Sequence, residues 1–253
     1  MEIFKENRVT FGNTPQLPYS VEEVINRLRI NISFLGNDVR KIMIISSEPN
    51  EGKSFLALNL WNQMAEAGEK TVLVDADMRN STIVNKYNLT RDDGKEILGT
   101  SHYLAGNATL GDVLVHTKYG YGDLLPNVEN IINPSMLLEA DNFARLLDGL
   151  ARHYKYVFVD APPLGLVSDG ERIGNLCDGA ILCVRSGLTP KGVVRDSVRQ
   201  LERAGCPLLG IVLNRVNEAK SGYYKSYYGR KYGSKYGNYY SSTYYYDNNK
   251  DKG

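Results

Sequence analysis

Six short apolar runs, at 42–46, 72–75, 123–125, 156–160, 180–185 and 208–213, alternate with stretches of helical periodicity at 53–67, 96–105, 134–153 and 190–204. Most of the runs are nearly continuous, the pattern of strands covered on both faces. Strands interleaved with helices in this order predict an α/β domain built on a doubly wound, mostly parallel sheet with right-handed crossovers. Asn133 followed by Pro134 supplies an N-cap and first-turn pair for the third of these helices. A chain of 253 residues is long enough to bury such a core, and no internal repeat interrupts it.

The flanks differ from this middle part. Residues 1–36 open with a polar, Pro-containing lead-in. A helical stretch follows at 21–34, with Ser20 as its cap and Val21, Val24, Ile25, Leu28 and Ile32 at helical spacing. Residues 217–253 hold one aliphatic side chain, Ala219. Such a segment cannot bury enough apolar surface to offset its chain entropy, so it is expected to be disordered when alone. The organisation read from the sequence is an N-terminal segment (1–36), an α/β domain (37–216) and a flexible tail (217–253).

The first apolar run leads into Ser47-Glu48-Pro49-Asn50-Glu51-Gly52-Lys53-Ser54 and then a helix, the strand–loop–helix setting that a phosphate-binding loop requires. Backbone N–H groups of such a loop converge on phosphate oxygens, and the helix N-terminus adds partial positive charge. In this reading Asn50, Glu51, Gly52, Lys53, Ser54 and Phe55 form the nucleotide-binding stretch. Lys53 reaches the β- and γ-phosphates, and the Ser54 hydroxyl faces Mg²⁺. Ser47 stands where the usual first glycine would be, and Asn50 where a flexible glycine is expected.

Two further runs end in carboxylates, at Asp75-Ala76-Asp77-Met78-Arg79 and at Asp160-Ala161-Pro162-Pro163. An open α/β sheet presents its ligand crevice at the C-terminal ends of its strands. Magnesium takes hard oxygen ligands, often one or two carboxylates. Asp160 fits a metal-orienting aspartate, although an aspartate is also a common strand stop. Asp75 and Asp77, two residues apart on an extended segment, point the same way.

Several classes are excluded or disfavoured by composition. The net charge of +1 gives no global field for nucleic acid or membrane. No apolar run approaches the roughly 18–20 residues of a membrane helix, and the N-terminus lacks the apolar core of a cleaved signal. Cys177, Cys183 and Cys206 read as buried thiols of a reducing compartment, and His102, His116 and His153 are too scattered for a metal site. These features predict a soluble cytosolic protein.

Gly52-Lys53-Ser54, Asp75-Ala-Asp77-Met-Arg79 and Asp160-Ala-Pro-Pro163, together with the tyrosine-rich tail, resemble the three Walker-type motifs and the tail of the bacterial protein-tyrosine kinases. These regulate capsular and exopolysaccharide export. The resemblance spans essentially the whole chain and favours the Gram-positive, cytoplasmic form, whose membrane-spanning activator is a separate polypeptide. It implies a P-loop NTPase fold of the deviant Walker type, with ATP and Mg²⁺ as cofactors. Asp77 is then the group that activates the attacking tyrosine and helps hold Mg²⁺, with Asp75 and Asp160 completing the metal environment. Arg79 either stabilises phosphate or pairs with an acid. Asn214 resembles an adenine-contacting position, with a turn or capping role as the alternative.

The resemblance also implies partners: a homo-oligomer of possible ring form, the cytoplasmic segment of a membrane activator or polysaccharide co-polymerase, and a cognate tyrosine phosphatase. No nucleic acid is implied, and the activator would bring the protein to the inner face of the plasma membrane. Glu23, Arg27 and Arg29 on the first helix stand near a Glu…Arg…Arg pattern used for subunit contact, with Asn26 at the middle basic position. A solvated helix face is the plainer reading of the same residues.

The tail carries the candidate phosphate acceptors Tyr223, Tyr224, Tyr227, Tyr228, Tyr232, Tyr236, Tyr239, Tyr240, Tyr244, Tyr245 and Tyr246, eleven of the 18 tyrosines. Aromatics among basic residues also stack on single strands, and Tyr/Gly-rich segments self-associate; the kinase motifs favour the acceptor role. The 28 residues from Val216 to Tyr244 span roughly 30 Å as a flexible chain, enough to reach a neighbouring subunit. Seven Lys/Arg against three acids give the tail +4 and leave −3 on the rest, so two or three phosphates reverse the tail's sign. The competing reading is a ParA/MinD-like ATPase switch without protein phosphorylation. That family carries an additional lysine near the start of its loop, where this chain has Glu48. A nucleotide-binding adaptor without chemistry is a third.

Overall fold

A computed structural model describes residues 7–14, 16–118, 120, 122–139 and 141–216. In chain order its elements are β1 (Val9–Phe11), α1 (Tyr19–Ser33), β2 (Lys41–Ser46), α2 (Lys53–Glu66), β3 (Thr71–Asp75), α3 (Ile83–Lys86), β4 (Leu89–Arg91), α4 (Thr100–Leu104) and α5 (Leu110–Val113). They continue with β5 (Val115–His116), β6 (Gly122–Leu125), α6 (Ser135–Glu139), α7 (Asp141–His153), β7 (Tyr156–Asp160), α8 (Asp169–Asn175), β8 (Gly179–Arg185), α9 (Lys191–Arg203) and β9 (Leu208–Asn214).

The central sheet has the order β5-β6-β3-β7-β2-β8-β9. Every pairing in it is parallel except β5 with β6. The continuous apolar runs are explained by where their residues go. Along β2, Ile42 and Ile44 enter one core while Met43 and Ile45 enter the other. On β7, Val157 and Val159 join Met43, and Phe158 joins Ile42. Alternate side chains point to opposite faces, and helices cover both, so the middle positions of these strands are apolar throughout.

One core is closed by α2, whose Leu56, Leu60, Trp61 and Met64 pack under the sheet together with Ile25 and Ile32 of α1. The other is closed by α7, α8 and α9, through residues such as Phe143, Leu147, Ile173 and Leu201. Cys177, Cys183 and Cys206 are buried thiols, as their apolar surroundings predicted. Among the described residues no helix is long and apolar enough to cross a membrane.

The structure departs from sequence expectation in several places. The helix expected over 96–105 is confined to α4, because Gly99 passes against the β6 exit. A Cβ there would lie 2.6 Å from the Pro126 carbonyl oxygen, and Thr100 N–H donates to that same oxygen at 2.7 Å. Over 134–153, where one helix is expected, the described residues form α6 and α7 on either side of residue 140, which lies outside them. A small antiparallel sheet, β1 with β4, was not foreseen; it sets Phe11 against Trp61 and Tyr87. The antiparallel edge strand β5 was also missed, being two residues long.

Candidate active site

The loop between β2 and α2 crosses the C-terminal ends of neighbouring strands. Its backbone takes left-handed conformations at Asn50 (φ 62°) and Gly52 (φ 99°). Asparagine is among the few non-glycine residues that tolerate this region, which is why it serves in a glycine's place at position 50. At Gly52 no side chain fits, since a Cβ would stand 2.1 Å from Asn214 Nδ2. Ser47, in the place of the first glycine, is buried and accepts the Ser197 hydroxyl at 2.8 Å. The loop is held from the side by Gly165, whose N–H donates to the Ser47 carbonyl at 2.9 Å.

Lys53 opens α2 and turns its ammonium toward the strand ends. Its Nζ lies 2.7 Å from Asp77 Oδ2, 3.4 Å from Asp160 Oδ1 and 3.2 Å from Ser54 Oγ. Burial opposes charge on this lysine, but Asp160 and Asp77 more than offset it and hold the ammonium above its ordinary range. Burial raises Asp160 as well, and the opposing pull of Lys53 and Ser54 offsets only part of that rise. The register of the sheet brings Asp75 opposite Asp160 on adjacent strands. Burial, then the Asp160 carboxylate, push Asp75 up to about 8.

Asp75 faces the protein. Its Oδ1 accepts the Asp77 N–H at 3.2 Å, and its Oδ2 lies 2.6 Å from Ser81 Oγ, which also stands 2.7 Å from the Asn127 carbonyl. A serine hydroxyl has one proton for those two acceptors. A protonated Asp75 donating to Ser81, which donates onward to Asn127, satisfies every contact.

Of the two roles expected for Arg79, the geometry shows pairing with an acid. Its Nε donates to the buried Asp169 at 2.6 Å, Nη1 to the Ile132 carbonyl at 2.9 Å and Nη2 to Ser135 Oγ at 3.3 Å. Ser135 in turn donates to Asp169 at 2.8 Å. Glu51, expected at the nucleotide, directs its carboxylate into the protein. It accepts the Glu48 N–H at 2.8 Å, the Arg185 N–H at 3.0 Å and the Thr189 hydroxyl. Asn214 donates from Nδ2 to the Glu51 carbonyl at 2.8 Å, a loop-holding contact at the position considered for adenine. Phe55, on the first turn of α2, has the Lys86 ammonium 5.9 Å from its ring centre.

The site therefore gathers Lys53, Ser54, Asp75, Asp77 and Asp160 at one edge of the sheet. Asp169, Ser81 and Thr189 were not anticipated. The one available hint was Ser168-Asp169, a polar pair opening a short helix, and it does not name Arg79 as partner. Among the described residues no three His, Cys, Asp or Glu side chains are arranged to hold an ion by themselves. Magnesium binds through one or two carboxylates while keeping waters and substrate phosphates. The hard oxygens of Ser54, Asp77 and Asp160 are of the right type.

Elsewhere, Glu23 and Arg27 are exposed on α1, and Arg29 donates to Asn26 Oδ1 at 3.0 and 2.8 Å. The eleven tail tyrosines lie outside the described residues. An unexpected polar cluster joins His116, Asp123 and Tyr154. His116 Nδ1 is 2.7 Å from Asp123 Oδ1, and the Tyr154 hydroxyl donates to Oδ2.

Known proteins resemble this arrangement in both sequence and fold. A family model described as the CobQ/CobB/MinD/ParA nucleotide binding domain matches residues 42–234. The tyrosine-protein kinase CpsD of Streptococcus agalactiae serotype III is 37% identical over 202 residues, covering 80% of this chain and 85% of that protein. Among solved structures, the chimerical protein CapA2B2 is 33% identical with a TM-score of 0.72, covering 81% of this chain and 88% of that one. The kinase domain of the Escherichia coli tyrosine kinase ETK is 29% identical with a TM-score of 0.70, covering 83% of this chain and 86% of that one.

Proposed function

The chain belongs to the CobQ/CobB/MinD/ParA nucleotide-binding family and is a bacterial protein-tyrosine kinase, and from that premise we propose that it phosphorylates the tyrosines of its own tail, mainly between subunits. ATP is the donor and Mg²⁺ the cofactor. The observation that carries this reading is the buried Lys53 ammonium, held 2.7 Å from Asp77 at the mouth of an anion-accepting loop. In the family's Gram-positive form the physiological setting is capsular or exopolysaccharide synthesis and export. A membrane-spanning activator supplies the cytoplasmic segment that recruits the kinase to the membrane.

In this reading the loop N–H groups between Asn50 and Phe55 bind the phosphates. Lys53 exchanges its carboxylate partners for β- and γ-phosphate oxygens. Ser54, Asp77 and Asp160 would hold Mg²⁺, which when bound would supply charge neutralisation at the transferring group. The tyrosine oxygen attacks the γ-phosphorus, the bond from that phosphorus to the β,γ-bridging oxygen breaks, and ADP leaves. The hydroxyl proton passes to the Asp77 carboxylate, because tyrosine, with an ordinary pKa of about 10, must lose it during attack near neutral pH. Positioning and charge stabilisation supply most of the rate.

Incubation of the full chain with ATP, Mg²⁺ and an activator fragment, read by phosphotyrosine mass spectrometry of the tail, tests the proposal. Wild type labels the tail, while Lys53→Met and Asp77→Asn, each checked for folding by circular dichroism, do not. Equal labelling of Lys53→Met refutes it. Turnover of ATP with no phosphotyrosine supports the ATPase-switch reading instead.

A further inference from the structure

Glu51 sits inside the phosphate loop with its side chain almost wholly buried, at 1% exposure. Its carboxylate accepts three hydrogen bonds from neutral donors on separate segments: Glu48 N–H in the loop, Arg185 N–H at the end of β8, and the Thr189 hydroxyl in the β8–α9 turn. Its carbonyl oxygen accepts from Asn214 Nδ2 at the end of β9 and from Cys183 Sγ on β8, at 2.8 and 3.3 Å. One residue thus fastens the loop to two strand ends and the turn between them.

An anionic side chain buried beside a polyphosphate site is electrostatically adverse, because both charges have the same sign in a poorly screening medium. Its value has to be geometric. A carboxylate is acceptor-only, with two oxygens able to take several donors at once. Here it meets donors from every side, and any replacement carrying an N–H leaves one of them unanswered.

We propose that Glu51 is a positioning residue: it holds the phosphate loop in its anion-accepting shape and locks it to the ends of β8 and β9. The nucleotide then binds a loop that is already ordered and does not lose affinity to ordering it. The inference rests on the reading of this loop as the nucleotide site. It adds the Glu51–Thr189 contact as the element that sets nucleotide affinity.

The test is titration of the full-length protein with ADP and Mg²⁺ by calorimetry, comparing wild type, Glu51→Gln, Thr189→Val, Thr189→Ser and the Glu51→Gln/Thr189→Val pair. Removing the negative charge on its own favours an anion, so charge and positioning predict opposite signs for Glu51→Gln. Positioning predicts ADP binding weaker by about tenfold or more in Glu51→Gln and by about three- to tenfold in Thr189→Val. Thr189→Ser returns it to within about twofold of wild type, and the double variant is no weaker than Glu51→Gln alone. In transfer assays KM for ATP rises by a larger factor than kcat falls.

Glu51→Gln binding ADP as tightly as wild type, or more tightly, overturns the proposal, as does simple additivity in the double variant. If Glu51→Gln does not fold, Thr189→Val against Thr189→Ser decides the matter alone. A wild-type protein that binds ADP but labels no tyrosine sinks the self-phosphorylation reading and leaves the clamp to be judged on the titration. A wild-type protein that binds no ADP overturns both.

Discussion

Asp75 on β3 and Asp160 on β7 are direct partners in the parallel register of the sheet, and both carboxyl groups are buried. Two like charges so placed cannot both ionise cheaply, and the Lys53 ammonium lies against Asp160. Asp75 is left to carry the proton.

The pH dependence of stability follows from this. Asp75 has a folded-state pKa near 8, above its unfolded value. The folded state therefore binds more protons between about pH 4 and pH 8, and stability falls as pH rises through that window. The stabilisation is complete below the unfolded pKa and gone above the folded one. Thermal unfolding of the nucleotide-free protein from pH 5 to pH 8.5 should show this slope. Asp75→Asn should flatten it and be the more stable form at pH 8.5. An amide at 75 can donate to Ser81 and still accept the Asp77 N–H, as the protonated acid does.

Removing Lys53 should cost stability as well as activity. Its ammonium is the cation between Asp77 and Asp160, and a buried pair that loses one partner is destabilised by about 3–5 kcal/mol. Urea denaturation of Lys53→Met at pH 8 should show a loss of that order. Adding Asp77→Asn to Lys53→Met should recover part of it, while transfer stays abolished.

Gly52→Ala should disrupt the loop for two reasons, its φ of 99° and the contact with Asn214 Nδ2. The expected cost is roughly 1–3 kcal/mol of stability, with at least a tenfold loss of ADP affinity. Asn214→Ala in the same chain relieves the contact but not the backbone strain. Calorimetry should accordingly find only partial recovery.

Arg79→Lys should behave as a loss. Lysine cannot reproduce the guanidinium fork that joins Asp169, the Ile132 carbonyl and Ser135. Asp169 is fully buried, so its charge is left with a poorer partner, and a destabilisation of roughly 1–3 kcal/mol is expected. Denaturant midpoints with an unchanged slope would establish it, and transfer should fall because Met78 and Asp77 adjoin the disturbed segment.

Much of this was legible in residue order. The central strands lie where the apolar runs placed them, and Gly52-Lys53-Ser54 sits between a strand and a helix as its spacing required. The convergence of Lys53 with Asp77 and Asp160 was legible too, because parallel strands present their C-terminal residues at one edge. What escaped were elements too short to show a period, such as β1, β4 and β5, and the helix cut back by the close approach of Gly99 to Pro126.

Chemical type and element order were thus set locally, by side-chain periodicity and turn conformation over a few residues. The partners of the buried charges were not. Arg79 meets Asp169 across 90 residues, Thr189 meets Glu51 across 138, and Ser197 meets Ser47 across 150. Whether a buried carboxylate is paired, protonated or used as a clasp depends on which donors the folded chain brings within about 3 Å, and that distance exists only once the sheet and its crossovers have formed.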